Sequence, residues 1–318
     1  MKRILIVGAG GQIGSELTPY LRSIYGAANV VATDVRECKA LAEEGPFEVL
    51  DALNPTNMAS VVARHRIDTI FNLVALLSAV GERNPQMAWG VNMGALLNSL
   101  EVARQHHCAV FTPSSIGAFG PTSPKDGTPQ DTIMQPTTVY GICKVTGELL
   151  GNYYAHKYGL DTRSIRFPGI ISNKTLPGGG TTDYAVEIYY EAIRHGRYTC
   201  AVPHDVYMDM IYMPDALKAV VELMEADPAK LRHRNSFNIA SMSFTPEIIA
   251  AEIRRHIPTF EMFYDIDPVK EEISRSWPNY LDDTCAREEW GWKPEWNLAR
   301  MTEDMLAAVR RKIANEQQ

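Results

Sequence analysis

A tyrosine and a lysine four positions apart, Tyr140 and Lys144, lie in a stretch of the sequence with helical periodicity. Residues at this spacing share one face of a helix, so the phenol and the ammonium group are expected to be neighbours. A neighbouring positive charge stabilises the phenolate, which can accept a proton from an alcohol. The motif alone is common on solvated helix faces, but here it follows Ser115, at the end of an apolar run, by 25 residues. Because strand ends converge on the ligand crevice of a parallel sheet, we expect Ser115 to hold a substrate oxygen beside Tyr140.

A glycine-rich stretch, Gly8-Ala-Gly-Gly-Gln-Ile-Gly14, directly follows the apolar run Arg3–Val7. Glycines allow a tight turn and let a pyrophosphate approach a helix N-terminus, where free N–H groups and the helix dipole bind anions. Asp34 ends the second apolar run, 20 residues after Gly14. A carboxylate at this place hydrogen-bonds a ribose hydroxyl and repels a 2′-phosphate, so it outweighs the nearby Arg36, which would accept NADP. The motif therefore predicts NAD as cofactor, bound by Gly8, Gly11, Gln12, Ile13, Gly14 and Asp34.

Short β-branched runs alternate with helical periodicity through the first half of the chain. The predicted strands are Arg3–Val7, Val30–Asp34, Glu48–Leu50, Thr69–Leu73, Ala109–Pro113 and Thr162–Phe167. The predicted helices are Gln12–Ile24, Asn54–Arg64, Gln86–His106 and Val139–Tyr158. Apolar strands alternating with helices are typical of a parallel sheet covered on both faces, so we predict an α/β fold with a Rossmann-type, doubly wound parallel sheet.

The regular alternation of predicted strands and helices ends after Pro168. The stretch Asn173–Thr182 is rich in Gly, Pro, Thr and Asn and is predicted as a loop, followed by a helix over Asp183–His195 with Asp183 as its cap. Thr245 and Pro246 have the residue types that begin a helix, which we expect to end near His256. The connections Ser276–Asn279 and Gly291–Asn297 carry aromatic residues and proline. These patterns predict an NAD-binding domain over residues 1–170 and, over 171–318, mainly a smaller α+β substrate lobe with segments that return to the first domain.

The composition excludes several classes of function. The 318 residues carry a net charge of −7, without the clustered cations that nucleic acids or anionic membranes require. No apolar run approaches the length that spans a bilayer. The five cysteines are odd in number and scattered, which favours free thiols in a reducing cytoplasm. There is neither a Cys-x-x-Cys pair nor a His-Glu-x-x-His motif, and we predict no metal site.

The glycine spacing at Gly8, Gly11 and Gly14, together with Tyr140 and Lys144, resembles that of the extended short-chain dehydrogenase/reductase family. The resemblance covers essentially the whole chain and implies that Ser115, Tyr140 and Lys144 form the catalytic group. It also implies further cofactor contacts: Asp51 and Ala52 at the adenine, Leu73, Val74 and Ala75 after the fourth strand, Asn92 on the long helix as a structural or proton-relay position, and Pro168 and Ile170 beside the nicotinamide.

Three segments separate the subclasses of this family. Nucleotide-sugar enzymes usually carry an arginine that grips the diphosphate, and Met208 stands in its place, whose thioether cannot bind phosphate. The loop Gly178–Tyr184 offers hydroxyls and backbone N–H groups that suit a small carboxylate. With Leu76–Ala79 and the segment around Ser276–Pro278, these features look like the short-chain-type L-threonine 3-dehydrogenases, a closer match that extends from the first strand to the last helix.

That resemblance implies oxidation of the 3-hydroxyl of L-threonine by NAD to 2-amino-3-oxobutyrate, and pairing of the helices Gln86–His106 and Val139–Tyr158 in a homodimer. The implied substrate contacts are Ser78, Ser114, Ser115, Tyr140, Gly180, Thr181, Thr182 and Trp277. Ser114 is an alternative to Ser115 at the hydroxyl, and Trp277 either covers the site or packs inside the small lobe. Two other functions stay open: a nucleotide-sugar epimerase or dehydratase of the same fold, and a non-catalytic NAD-sensing protein.

Overall fold

Strands and helices alternate through the first half of the computed structural model, which describes residues 1–316 except 177 and 179. In chain order these elements are β1 (Ile4–Val7), α1 (Gln12–Tyr25), β2 (Val30–Asp34), α2 (Lys39–Glu44), β3 (Phe47–Val49), α3 (Pro55–His65), β4 (Thr69–Asn72), α4 (Ser78–Arg83), α5 (Pro85–His106), β5 (Ala109–Phe111), β6 (Ser114–Ser115), α6 (Val139–Tyr158), β7 (Thr162–Arg163) and β8 (Ile165–Phe167).

The second half is less regular. Its elements are β9 (Gly169–Ile171), α7 (Tyr184–His195), β10 (Arg197–Cys200), β11 (Met208–Tyr212), α8 (Met213–Glu225), β12 (Phe237–Asn238), β13 (Met242–Phe244), α9 (Pro246–His256), β14 (Glu261–Tyr264), α10 (Pro268–Ser276), α11 (Thr284–Trp290) and α12 (Leu298–Glu316). Thr245 caps α9 as predicted, because its hydroxyl oxygen accepts the N–H of Ile248.

The central sheet has six parallel strands in the order β3-β2-β1-β4-β5-β7. Its middle strand, β1, pairs with β2 and β4, with Ile4 opposite Val30 on one side and Thr69 on the other. The strand order reverses between β1 and β4, which is where a doubly wound sheet opens its ligand crevice. The Rossmann-type α/β fold predicted from the sequence is confirmed.

Apolar helix faces cover both sides of this sheet, which explains why the strand β1 is fully buried. One layer contains α3, α5 and α6, with Met58, Leu96 and Tyr154 in its core. The other layer contains α1 and α8, where Leu17 and Val220 pack against the sheet. Helix α8 belongs to the second half of the chain, so residues beyond 170 return to complete the core of the first.

Three smaller sheets place the second half beside the crevice: β9-β11-β13, β10-β14 and β6-β8-β12. The first two share a core with α7, α9 and α12, through residues such as Tyr189, Ile253 and Met305. Strands β8 and β12 pack instead into the core that contains α1 and α8. Of the described residues, no helix is both long and apolar enough to cross a membrane.

Three details of the sequence-based element prediction are wrong. Asp183 does not cap α7 through its side chain, because its backbone is already helical (φ −62°, ψ −24°) and its carboxylate accepts the N–H of Gly180 instead. The predicted strand Thr162–Phe167 is divided into β7 and β8, which pair with different sheets. Helix α10 also runs through Ser276, where a connection was predicted.

Candidate active site

A cavity of about 350 Å³ lies at the carboxyl ends of the central strands, between the sheet and the second half of the chain. This volume is in the range of sites for small molecules and cofactors. Most of the residues singled out from the sequence line it: Gly8, Gly11, Gln12, Ile13, Gly14, Leu73, Ala75, Ser78, Ser114, Ser115, Tyr140, Lys144, Pro168, Ile170, Gly180, Thr181, Thr182 and Trp277.

The glycine-rich turn between β1 and α1 forms one wall of the cavity. Gly8 has φ +85°, which a residue with a side chain rarely adopts. A Cβ on Gly14 would lie 2.5 Å from the carbonyl oxygen of Gly8, so only glycine allows α1 to begin this close to the strand. The turn therefore presents a helix N-terminus without side chains in the way, a cradle that fits the pyrophosphate of a dinucleotide.

Asp34 closes the outer edge of this turn. Its Oδ2 accepts the N–H of Gly10 at 2.9 Å, so the carboxylate at the end of β2 is fixed beside the glycine turn. The neighbouring Arg36 is exposed at the surface. This arrangement keeps an anionic group where a ribose hydroxyl of a bound dinucleotide would be recognised.

Helix α6 places Tyr140 and Lys144 on the face that lines the cavity. The hydroxyl oxygen of Thr138 caps the helix by accepting the N–H of Gly141 at 3.1 Å. The Nζ atom of Lys144 lies 5.3 Å from the centroid of the Tyr140 ring and donates a 2.6 Å hydrogen bond to the carbonyl oxygen of Pro113. The lysine thereby joins α6 to the chain just before β6 and keeps a positive charge near the phenol.

The two serines of β6 have different surroundings. Ser115 Oγ accepts the N–H of Gly117 at 3.1 Å, and a Cβ built on Gly117 would lie 3.3 Å from the Tyr140 ring and 3.5 Å from Ser115 Oγ. Ser115 and Tyr140 therefore flank the same glycine. Ser114 is buried and donates its hydroxyl hydrogen to Glu148, which is held in turn by Arg166 at 2.8 Å. The geometry favours Ser115 for a contact with substrate.

Two glycines near Tyr140 were not identified from the sequence. A Cβ on Gly141 would lie 2.2 Å from the carbonyl oxygen of Gly117, so the first turn of α6 can approach the short 3₁₀ turn Ile116–Ala118 only when residue 141 is glycine. This close approach sets the distance between Tyr140 and Ser115. In the sequence, the only sign of this close approach is the glycine directly after Tyr140. That sign can be interpreted only when the segment facing α6 is known.

The second half of the chain contributes hydroxyl groups and one indole to the cavity. Thr181 is buried, and the carboxylate of Asp183 accepts the N–H of Gly180 at 2.6 Å at the start of the turn that carries the threonines. Ser78, at the start of α4 in the first half, is also buried and lines the cavity. Trp277 lines the cavity and also belongs to the buried core of the second half. Whether it covers a bound substrate stays a prediction.

Asp34 and four of the implied cofactor residues, Asp51, Ala52, Val74 and Asn92, do not line the cavity. Asp51 accepts the N–H of Leu53 at 2.9 Å, and Ala52 is buried behind it. Asn92 holds the backbone of Leu76 through two hydrogen bonds, at 2.7 and 3.2 Å. Val74 and Asn92 line a smaller cavity behind the site. The contact of these four residues with a cofactor stays a prediction, and Asn92 has a clear positioning role for the segment before Ser78.

Burial controls the chemistry of two other groups near the site. Desolvation raises the pKa of the Cys143 thiol, beside Lys144, so this cysteine stays protonated and is a poor nucleophile. Desolvation also raises the pKa of Asp209, which is on β11 next to Met208. Met208 is fully buried and is not in the cavity lining, so this position offers no cation for a diphosphate.

A group of potential metal ligands away from the cavity was not identified from the sequence. Ligand atoms of His233, Cys285 and Glu289 lie within 4.8 Å of one another. Glu289 accepts the backbone N–H groups of Arg232 and His233 at 2.6 and 3.1 Å, and its Oε1 lies 2.5 Å from His233 Nδ1. These hydrogen bonds give the group a structural role as the anchor of the loop before β12.

The fold and the cavity together define a nucleotide-binding oxidoreductase site of the Rossmann type with a Tyr–Lys pair. A model of the NAD dependent epimerase/dehydratase family matches residues 4–240. The chain belongs to this family of enzymes, whose members use a nicotinamide cofactor.

Similar proteins extend the comparison over the whole chain. An uncharacterized epimerase/dehydratase of Staphylococcus haemolyticus is 54% identical over 99% of this chain and 100% of its own length. The structure of an L-threonine dehydrogenase from Clostridium difficile is 52% identical, has a TM-score of 0.96 and covers 98% of both chains. The holo form of an L-threonine dehydrogenase from Cupriavidus necator is 50% identical with a TM-score of 0.94, covering 96% of this chain and 99% of its own. The predicted resemblance to L-threonine dehydrogenases is confirmed at the level of structural similarity.

Proposed function

We propose that this enzyme oxidises the 3-hydroxyl group of L-threonine with NAD to give 2-amino-3-oxobutyrate. The observation that carries the proposal is the cavity itself, since it brings the glycine turn, the Tyr140–Lys144 pair, Ser115 and the hydroxyl-bearing residues Thr181 and Thr182 to one place. Solved L-threonine dehydrogenases that share about half of the sequence support the choice of substrate.

Proton transfer is assigned to Tyr140. As a phenolate it accepts the proton of the threonine hydroxyl, and the ammonium group of Lys144, 5.3 Å from the ring centroid, stabilises the phenolate. Ser115 orients the hydroxyl and donates a hydrogen bond to its oxygen as negative charge develops there. When bound, NAD supplies the carbon that takes the hydride from C3 of threonine.

Substrate recognition is assigned to groups on two sides of the cavity. The hydroxyls of Ser78, Thr181 and Thr182 and the backbone at Gly180 are suited to the carboxylate and ammonium groups of a small amino acid. Trp277 covers them from the second half of the chain. We propose the same division into a dinucleotide-binding domain over 1–170 and mainly a substrate lobe over 171–318.

The preference for NAD over NADP is assigned to Asp34. Its carboxylate is fixed next to the glycine turn by the N–H of Gly10 and would repel a 2′-phosphate. The glycine turn and the N-terminus of α1 would hold the pyrophosphate, and Leu73, Ala75, Pro168 and Ile170 line the remainder of the path towards Tyr140.

A homodimer that uses α5 and α6 is supported by exposed apolar side chains on these helices. Among them are Trp89, Leu97, Ile142, Leu149 and Tyr153. A face of this kind on neighbouring helices suits a two-fold contact in which each helix meets its own copy.

The proposal is tested with L-threonine, L-allo-threonine, L-serine and UDP-galactose, each with NAD. NADH formation is followed for the amino acids, and conversion of UDP-galactose, which yields no net NADH in an epimerase, is followed by chromatography of the nucleotide sugar. Turnover selective for L-threonine is the expected result. Conversion of UDP-galactose without turnover of threonine would favour a nucleotide-sugar epimerase. NAD binding without conversion of any substrate would favour a non-catalytic NAD-sensing protein.

A further inference from the structure

The segment Ser172-Asn173-Lys174-Thr175 leads from β9 into the glycine-rich loop that reaches the cavity, and it is held by side chains of two helices. Asn173 Nδ2 donates to Asp304 of α12 at 2.9 Å. The carbonyl oxygen of Lys174 accepts the Nζ of Lys312, also of α12, at 3.0 Å. The hydroxyls of Ser172 and Thr175 point instead to α1, the helix that begins at the glycine turn.

The group on α1 that receives these hydroxyls is the carboxylate of Glu16. Its Oε1 accepts a hydrogen bond from Ser172 and another from Thr175, the latter at 3.3 Å. Ser15, in the same turn of the helix, lies with its Oγ 3.2 Å from Thr175 Oγ1. Glu16 is 6% exposed, although an ionised side chain is seldom buried without partners that satisfy it.

The hydrogen bonds to Glu16 also determine the local backbone. Ser172 Oγ, which donates to Glu16, accepts the N–H groups of Lys174 and Thr175 at 3.0 and 3.1 Å. The carboxylate thus fixes a hydroxyl that in turn fixes two peptide groups. Thr175 and the next residue, Leu176, both line the cavity.

We propose that Glu16 is a positioning residue that holds the start of the glycine-rich loop after β9 against α1, the helix whose N-terminus would bind the cofactor. Glu16 is in the second turn of α1, and the N-terminus of that helix forms the dinucleotide cradle. Through Ser172 and Thr175 it holds the first residues of the loop whose far end carries Thr181 and Thr182. Glu16 thereby fixes the position of the substrate-binding loop relative to the glycine turn that would bind the cofactor. This inference rests on the proposed oxidation of a small amino acid by NAD.

The test uses amide hydrogen exchange, which does not depend on the identity of the substrate. Exchange of the Lys174 and Thr175 amides is measured in the NAD-bound enzyme for the wild type, Glu16→Ala, Glu16→Gln and Glu303→Ala. Glu303 is an exposed acid on α12 and provides the matched control. We expect both amides to exchange about tenfold faster in Glu16→Ala, because hydrogen bonds to a charged acceptor are lost. Glu16→Gln keeps a carbonyl acceptor and should restore most of the protection, and Glu303→Ala should match the wild type.

The same four proteins are assayed with L-threonine, and NAD binding is measured by calorimetry. Glu16→Ala should raise KM for L-threonine about tenfold, with kcat and the Kd for NAD changed less than about threefold, because the loss falls on substrate positioning. Unchanged exchange in Glu16→Ala, equal effects of Ala and Gln, or an unchanged KM would each overturn the inference. If the amides exchange as expected across the four proteins but the wild-type enzyme does not oxidise L-threonine, the positioning role of Glu16 stands and the proposed function is refuted.

Discussion

Tyr140 is the proposed general base, and its replacement by phenylalanine tests that role directly. Tyr140→Phe should lower kcat by about 10²–10⁴-fold, because the general base is lost while the ring still packs. The Kd for NAD should stay the same. Steady-state NADH formation and calorimetry check both values, with Tyr207→Phe, an exposed tyrosine, as the control. Turnover at the wild-type rate in Tyr140→Phe would exclude this residue as the base.

Substitution of the two neighbouring serines should have different effects, one on catalysis and the other on stability. Ser115→Ala should lower kcat about 10²-fold with little change in thermal stability, because it removes a donor to the developing oxyanion. Ser114→Ala removes a partner of the buried Glu148 and should cost about 1–3 kcal/mol of folding free energy. Kinetics and denaturant unfolding measure the two effects. The reverse pattern would assign the substrate contact to Ser114.

Asp34 is the residue proposed to select NAD over NADP. Asp34→Ala should reduce the preference for NAD over NADP about 10–100-fold, because a charged hydrogen-bond acceptor and a repulsive charge are lost together. The ratio of kcat/KM for the two cofactors gives the measurement, and Glu37→Ala, the exposed acid nearby, serves as the comparison. A ratio that does not move in Asp34→Ala would show that another group recognises the ribose.

At the scale of the element, α6 holds the site together through one helical face. Tyr140, Lys144 and Glu148 follow one another at intervals of four residues, and the last two bind Pro113 and Ser114 at the end of the facing strand. The helix therefore fixes both Tyr140 and the strand that carries Ser115. This explains why its position depends on the glycines at 117 and 141.

Gly141→Ala tests the close approach of α6. An added methyl group would lie 2.2 Å from the Gly117 carbonyl, so the helix start must shift, at a cost of about 1–3 kcal/mol. We expect lower stability in chemical denaturation and a marked loss of kcat. Gly90→Ala, on α5, meets no atom within 4 Å and should leave kcat unaltered. Full activity in Gly141→Ala would mean that the spacing between Tyr140 and Ser115 tolerates the shift.

The sequence predicted some helices and strands more accurately than others. The bounds of α6 and β2 agree with the prediction, because strong periodicity and clear end residues act locally. The short helices α2, α4, α10 and α11 were missed, since six to nine residues give too few turns for a periodic pattern. The longer helices α8 and α12 were also not predicted. Likewise, the Glu148–Arg166 pair and the hydrogen bonds of Glu16 join distant parts of the chain and have no local sequence signal.

At the scale of the whole molecule, the exposed apolar face of α5 and α6 predicts self-association. Leu149, 62% exposed on α6, offers a test through Leu149→Glu, which places a charge that a dry interface would not accept. The wild type should have the mass of a dimer and the variant that of a monomer in light scattering after gel filtration. Ile133→Glu, which is equally exposed outside these helices, should remain dimeric. A monomeric wild type would contradict the proposed dimer.

In the proposed reaction a hydride leaves C3 of L-threonine for NAD in this cavity, and isotope transfer tests this step most directly. The enzyme is incubated with NAD and L-threonine deuterated at C3, and the reduced cofactor and the product are examined by mass spectrometry. We expect NADH that carries one deuterium and a 2-amino-3-oxobutyrate, or the aminoacetone formed from it, that carries none at the former C3. Unlabelled cofactor, or threonine recovered intact with its deuterium, would contradict it.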